Sequence, residues 1–228
     1  MVKLIFLCHR RPDISHERYA QLLLGGHVPL ARVHHPTLRR YVVNIVEQSP
    51  DGWDALDSIG ELCFDSLADF RQRLYGSPAG QAIIEQDVRG FMGGAHAYAT
   101  TEHIQKTAGA SAPVGQRSAG VKLVCPIVRR PEMSHAAFVE HWLTRHVPLA
   151  LCHHPGLQRY VTNVVDEQLS SSGAPLDGIG ELHFASAEAR QTQMFDSPEG
   201  ERIIRADIAR FIGRTAAYRV AEYVEKTG

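Results

Sequence analysis

The sequence predicts an α+β protein made of two ferredoxin-like β-α-β-β-α-β repeats that pack sheet to sheet as a pseudo-dimeric barrel within one chain. Three observations predict it. Residues 26–44 recur at 145–163, and at an offset of 119 residues 2–47 align with 121–166 with about half of the positions identical. One residue is gained in the next loop, after which an offset of 120 pairs Asp57 and Glu61 with Asp177 and Glu181, and Ser77-Pro78 with Ser197-Pro198. Within each copy, short apolar runs alternate with helical stripes in the ferredoxin-like order. A four-stranded sheet with helices on one face leaves the other face bare, and the second copy is the available cover. The divisions are a first repeat at 1–106, a linker at 107–120 and a second repeat at 121–228.

Each repeat opens on a β-branched and aromatic run, 2–9 or 121–128, ended by Arg-Arg-Pro. Ser15 and Ser134 are suited to cap the helices that follow. On these, Phe138, Trp142 and His146 recur at four-residue steps, matched by Tyr19, Leu23 and His27. Pro29 and Pro148 are expected to disturb the helix, and His-His-Pro marks the loop before a second strand at 38–47 or 157–166. A Pro/Gly/Ser/Asp loop leads to strands 58–64 and 178–184. Ser66 and Ser186 begin further helices, and Ser-Pro at 77 and 197 restarts each in the N-cap then N1 arrangement. Strands at 98–105 and 218–225 close the units. Residues 107–120 are small, polar and nearly uncharged, as in a linker.

With 24 Lys+Arg against 25 Asp+Glu, the net charge is −1, which argues against broad attraction to nucleic acid or an anionic membrane. No leader or bilayer-spanning apolar segment is read, so a cytoplasmic setting is expected. Cys8, Cys63, Cys125 and Cys152 lack CxxC spacing and repeat-matched counterparts, so neither a disulfide framework nor a cysteine zinc site is expected.

The landmarks resemble the EthD family of the dimeric α+β barrel superfamily. The residues that carry this are Arg129-Arg130-Pro131, Phe138-x3-Trp142-x3-His146-x-Pro148, Gly156-Leu-x-Arg-Tyr160-x-x-Asn163, Asp177-Gly-Ile-x-Glu181 and Ser197-Pro198 with Asp207 and Phe211. The first repeat departs from the pattern in having Leu23 for the aromatic residue and Ser58 for glycine, so the second is expected to carry the better site. The resemblance implies the barrel fold but not one activity, since the superfamily is known for cofactor-free oxygenases, cyclases, isomerases, decarboxylases and some haem enzymes.

His146 is the leading candidate for a general base and acid, with His27 its equivalent, because a half-buried imidazole exchanges protons near neutral pH. Alternation puts Asp177, Ile179, Glu181 and His183 on one face of their strand, opposite Gly178 and Gly180, and Glu61 in the matching row of the first repeat. Glu181 or Asp177 is expected to tune His146. Tyr160 and Asn163, with Tyr41 and Asn44 as counterparts, fall on opposite faces. Tyr160 could donate to an enolate, or Asn163 could orient a carbonyl. Phe138 and Trp142 would wall the substrate, and Arg129 and Arg130 could clamp a carboxylate. No HExxH or comparable spacing points to a metal, and no cofactor is expected. The expected function is cofactor-independent isomerase or lyase chemistry on a small unsaturated or aromatic metabolite. A cofactor-free oxygenase, a haem protein and a non-catalytic binding protein are the alternatives, and a further homodimer of the fused pair is compatible with the sequence.

Overall fold

The computed structural model describes residues 1–108 and 112–228; the middle of the expected linker, 109–111, lies outside the described residues. The first repeat runs β1 (Val2–Arg10), α1 (His16–Leu22), α2 (Val28–His34), β2 (Arg40–Gln48), β3 (Ser58–Phe64), α3 (Leu67–Arg73), α4 (Pro78–Phe91) and β4 (Met92–Lys106). The second runs β5 (Val121–Arg129), α5 (His135–His141), α6 (Val147–His153), β6 (Leu157–Gln168), β7 (Gly178–Phe184), α7 (Ala187–Thr192), α8 (Pro198–Phe211), β8 (Ile212–Thr215) and β9 (Tyr218–Lys226).

Local chemistry sets the helix starts. Ser15, Ser66, Ser77, Ser134, Ser186 and Ser197 each accept a hydrogen bond from a backbone N–H three residues on, satisfying a donor that the first turn leaves open. Pro29 and Pro148 do not break their helices. Each is the second residue of α2 or α6, and the run continues past it because the turn before it widens to π geometry over Leu23–His27 and Trp142–His146. There the Val28 N–H reaches back to the Leu23 carbonyl, and Val147 to Trp142. The wider turn keeps residues four apart on one face, holding 23 above 27 and 142 above 146.

Strand order is β4-β1-β3-β2 in the first repeat and β9-β5-β7-β6 in the second, with β8 continuing the line of β9 along β5. The two sheets also join at their edges: β2 pairs with β9 from Tyr41 to Gln48, and β4 with β6 from Tyr98 to Lys106. All pairings are antiparallel, so the halves close a barrel of eight strands, counting β8 and β9 as one, and no free edge is left where they meet among the described residues. Residues 112–120 run beside β9, with Gly115 and Ser118 donating to the carbonyls of Val224 and Glu222.

Three apolar cores follow. One lies between the helices and sheet of each repeat, centred on Tyr19, Phe64 and Phe91 or on Phe138, Trp142 and Phe211. The third fills the barrel with Ile5, Leu7, Ile59, Tyr98, Val124 and Ile179. One step along the strands the filling becomes ionic. Lys3 Nζ lies 2.7 Å from Glu61, 2.9 Å from Glu102 and 2.5 Å from Glu181, while Lys122 Nζ lies 2.6, 2.9 and 2.8 Å from Glu61, Glu181 and Glu222. Arg40 and Arg159 complete the charge balance on Glu102 and Glu222. Asn44 and Asn163 donate to Glu61 and Glu181, each at 2.8 Å.

This layer makes the fold acid-sensitive. Burial, then the Lys122 and Arg159 charges, holds the His183 pKa down at about 3. Burial opposes ionisation of Glu222, but Lys122 and its cationic neighbours outweigh it and bring the carboxyl to about 2. Below about pH 6.5 the unfolded chain takes up a proton on His183 that the fold refuses, and below about 4.5 it takes up another on Glu222. Stability is therefore expected to fall from pH 6.5 towards 3 and further towards 2. A urea midpoint unchanged between pH 7 and 4 would contradict this, and His183→Gln should flatten the upper part of the decline.

Candidate functional site

In the second repeat Trp142, buried among Phe138, Tyr160 and Phe211, occupies the space between helices and sheet. Trp142 lies flat on β7, so close that a Cβ at Gly178 would stand 2.3 Å from its ring, and only glycine fits. Its indole N–H donates to Tyr160 Oη at 3.2 Å, and its ring stacks at a tilt on Phe138, 5.5 Å between centroids. His146 is 8% exposed and packs on Phe211, with Nδ1 2.9 Å from Asp207 Oδ2. His141 holds the other oxygen of the same carboxylate at 2.9 Å.

The first repeat has Leu23 where the second has Trp142, and Ser58 where it has Gly178. A smaller side chain above and a polar one below leave a cavity of about 280 Å³ among the π turn at Leu23–His27, α3, α4 and the sheet. Its walls are mostly apolar, with Phe6, Leu23, Val43 and Ile84 among them. Polar groups converge on it from several elements. His27, at the end of the π turn, has Nδ1 2.8 Å from Asp87 Oδ2, and its Nε2 has no protein hydrogen bond among the described residues. Tyr41 lines the same cavity, and its hydroxyl likewise has no partner among the described residues, since the indole that binds Tyr160 is absent. Ser58 Oγ lies 2.7 Å from Tyr19 Oη.

Burial lowers the His27 pKa, and the hydrogen bond and charge of Asp87 only partly restore it. The neutral imidazole therefore donates Nδ1–H to Asp87 and presents the Nε2 lone pair, as a general base requires. Burial pushes the Cys8 thiol up to about 12 and the Tyr41 phenol upward, so neither ionises readily. His35 also borders the cavity, but burial takes its pKa down to about 4 and its Nδ1 is 3.1 Å from the Leu74 carbonyl.

The predicted residues divide between two faces of the sheet. Glu181, Glu61, Asn163, Asn44 and His183 do share a row, but it faces the barrel interior, so Glu181 cannot tune His146 on the other side. Asp177 accepts from the Arg129 backbone and guanidinium and from His135, and Asp57 repeats this with Arg10 and His16. Both aspartates tie a strand end to a helix start. Arg129 is thereby engaged, and Arg130 pairs with Glu132 on the surface, so neither is free to clamp a substrate. Phe138, Trp142 and Tyr160 pack the second core, filling the space beside His146. His27 and Tyr41, in contrast, both line one void. The missed partner is Asp87, whose signal was the recurrence of a histidine and a helical aspartate in both repeats, His27 with Asp87 and His146 with Asp207.

The EthD domain matches residues 11–95 and again 130–215. This chain belongs to the EthD family. Similar folds occur in an anthrone oxidase-like protein, at TM-score 0.63 and 12% identity over 98% of this chain and 92% of that one. A proposed monooxygenase from Lactobacillus acidophilus NCFM follows at 0.54 and 10% over 99% and 96%. A mutant chlorite dismutase from Candidatus Nitrospira defluvii gives 0.56 and 11% over 96% and 90%. At these identities the likeness is one of fold. No curated protein sequence matches the chain. Within the EthD fold, the two repeats have thus diverged into one filled and one hollow copy.

Proposed function

We propose that this EthD protein binds a small, largely apolar enol, phenol or carbonyl compound in the first-repeat cavity and moves a proton on it through His27. The observation that carries this is an Asp-oriented, neutral imidazole that lines an apolar void together with a tyrosine, its second nitrogen and the tyrosine hydroxyl both without a protein partner among the described residues. His27 Nε2 takes a proton from an acidic C–H or O–H, Tyr41 donates to the oxygen on which charge develops, and the imidazolium returns the proton elsewhere on the molecule. Isomerisation, decarboxylation and dehydration of activated substrates all use that cycle. A positioned acid-base group contributes about 10²- to 10⁴-fold. The volume, just under the roughly 300–1,000 Å³ of ordinary ligand sites, suits a compact guest and is too small for a tetrapyrrole.

Deuterium uptake from D₂O into a panel of 1,3-dicarbonyl compounds and hydroxyarenes, followed by mass spectrometry, tests the reading. His27→Ala should lower exchange about 100-fold or more with folding retained, whereas His146→Ala should leave it nearly unchanged. Exchange indifferent to His27 would overturn the assignment. Activity should fall in acid as His27 protonates, with an apparent pKa below 6.5, and Asp87→Asn should move that limb lower still by removing the partner that raises it. Oxygen consumption during turnover would instead support the oxygenase alternative, which the names of the fold neighbours bring forward.

A further inference from the structure

At one end of the barrel, on the face of β1 and β4 opposite the organic cavity, three side chains of the first repeat converge: His9 at the end of β1, Asp54 in the β2–β3 loop and His96 in β4. One donor atom from each lies within 4.8 Å of the others, and the two imidazoles meet edge to face at 5.7 Å. We propose that they bind a divalent transition-metal ion through two imidazole nitrogens and one carboxylate, leaving coordination positions open to water.

Repeat symmetry isolates the cluster. The matching positions in the second repeat are Val128, Ala174 and Ala216, so all three donors are present in one copy and all three are absent from the other. The equivalence is structural, because Tyr218 Oη donates to the Asp54 carbonyl and Tyr98 Oη to the Ala174 carbonyl, both at 2.8 Å. Ordinary pairing does not account for the group. Among the described residues neither the His9 ring nor the Asp54 carboxylate has a hydrogen bond or ion pair, and His96 has only Ser172 Oγ, 3.3 Å from its Nδ1. The barrel's other carboxylate-histidine group, Glu181, His183 and Glu222, differs in this respect, since its carboxylates are taken by Lys3 and Lys122.

The second repeat holds the donors in place. Arg214 stacks on Trp53 at 4.2 Å from the ring centroid, and Tyr218 binds the Asp54 carbonyl, which together pin the loop that carries Asp54. Gly173, at φ +107°, lets its loop lie against His96, where a Cβ would stand 2.7 Å from the ring. The Ser172 contact fixes that ring as outer partners of metal-bound histidines do, leaving Nε2 for the ion. Tetrahedral donors at about 2.0–2.1 Å from zinc stand about 3.3 Å apart, which the half-exposed His9 and exposed Asp54 can reach by small side-chain rotations. Two imidazoles and a carboxylate with open positions suit zinc or iron(II) and exclude calcium and magnesium, which prefer all-oxygen shells.

The experiment is calorimetric titration of untagged, chelator-treated full-length protein with Zn²⁺, together with Co²⁺ absorption spectra. Wild type should bind one ion with micromolar or tighter affinity. His9→Ala, His96→Ala and Asp54→Ala should each weaken it at least tenfold and reduce the visible Co²⁺ bands, with melting temperatures of the metal-free proteins close to wild type. His183→Gln should bind as wild type does. Affinity unchanged in His9→Ala or His96→Ala, or no binding below about 100 μM, would overturn the proposal. The site lies across the sheet from His27, so deuterium exchange by the metal-free protein reports on the cavity separately.

Discussion

Lys3→Met is expected to destabilise the fold by about 3–5 kcal/mol, the range for removing one partner of a buried ion pair. Lys3 is 2% exposed and touches Glu61, Glu102 and Glu181 at once. Burial disfavours its charge, but the three carboxylates outweigh that and raise its pKa, so the ammonium is firmly held. Methionine fills similar space but leaves Glu61 and Glu181 repelling one another, with Lys122 alone between them. Pairing Lys3→Met with Glu61→Gln should recover part of the loss by removing one of the stranded charges. Chemical denaturation of the four proteins in that cycle measures the coupling, and strictly additive losses would mean that the two side chains act independently.

Leu23→Trp combined with Ser58→Gly is expected to abolish guest binding and turnover while leaving the protein folded. The pair copies the packing of Trp142 on Gly178, in which the indole lies where the cavity is found in the first repeat. Leu23→Trp alone should be worse for stability, by about 1–3 kcal/mol, because the ring would meet the Ser58 side chain. Trp142→Leu with Gly178→Ser should do the reverse, hollowing the second repeat and freeing the Tyr160 hydroxyl from its indole partner.

The repeat made the fold legible. Residues 58–64 and 178–184 were bounded by turn residues and alternated cleanly, and both strands run over those residues. Parity also separated Tyr160 from Asn163 and Gly178 from Glu181. It could not say which row meets the helices, because either row of a barrel strand is buried, and Glu181 was therefore paired with a histidine on the wrong side of the sheet. The departures at 23 and 58 were visible in the sequence, but as losses from a pattern. Their joint effect is a volume, which depends on two positions 35 residues apart meeting across a helix and a strand. Asp87, and the donors at 9, 54 and 96, were hidden for the same reason, since each group is assembled by the sheet and not by spacing along the chain.

The hollow first repeat, not the filled second, is proposed to hold the working imidazole. Titration of ¹⁵N-histidine-labelled protein with a bicyclic phenol such as 2-naphthol, followed by NMR, addresses it directly. The His27 ring nitrogens should shift on saturation, those of His146 should not, and the Leu23→Trp/Ser58→Gly protein should show no change. Shifts at His146, or binding that survives in the filled variant, would contradict it.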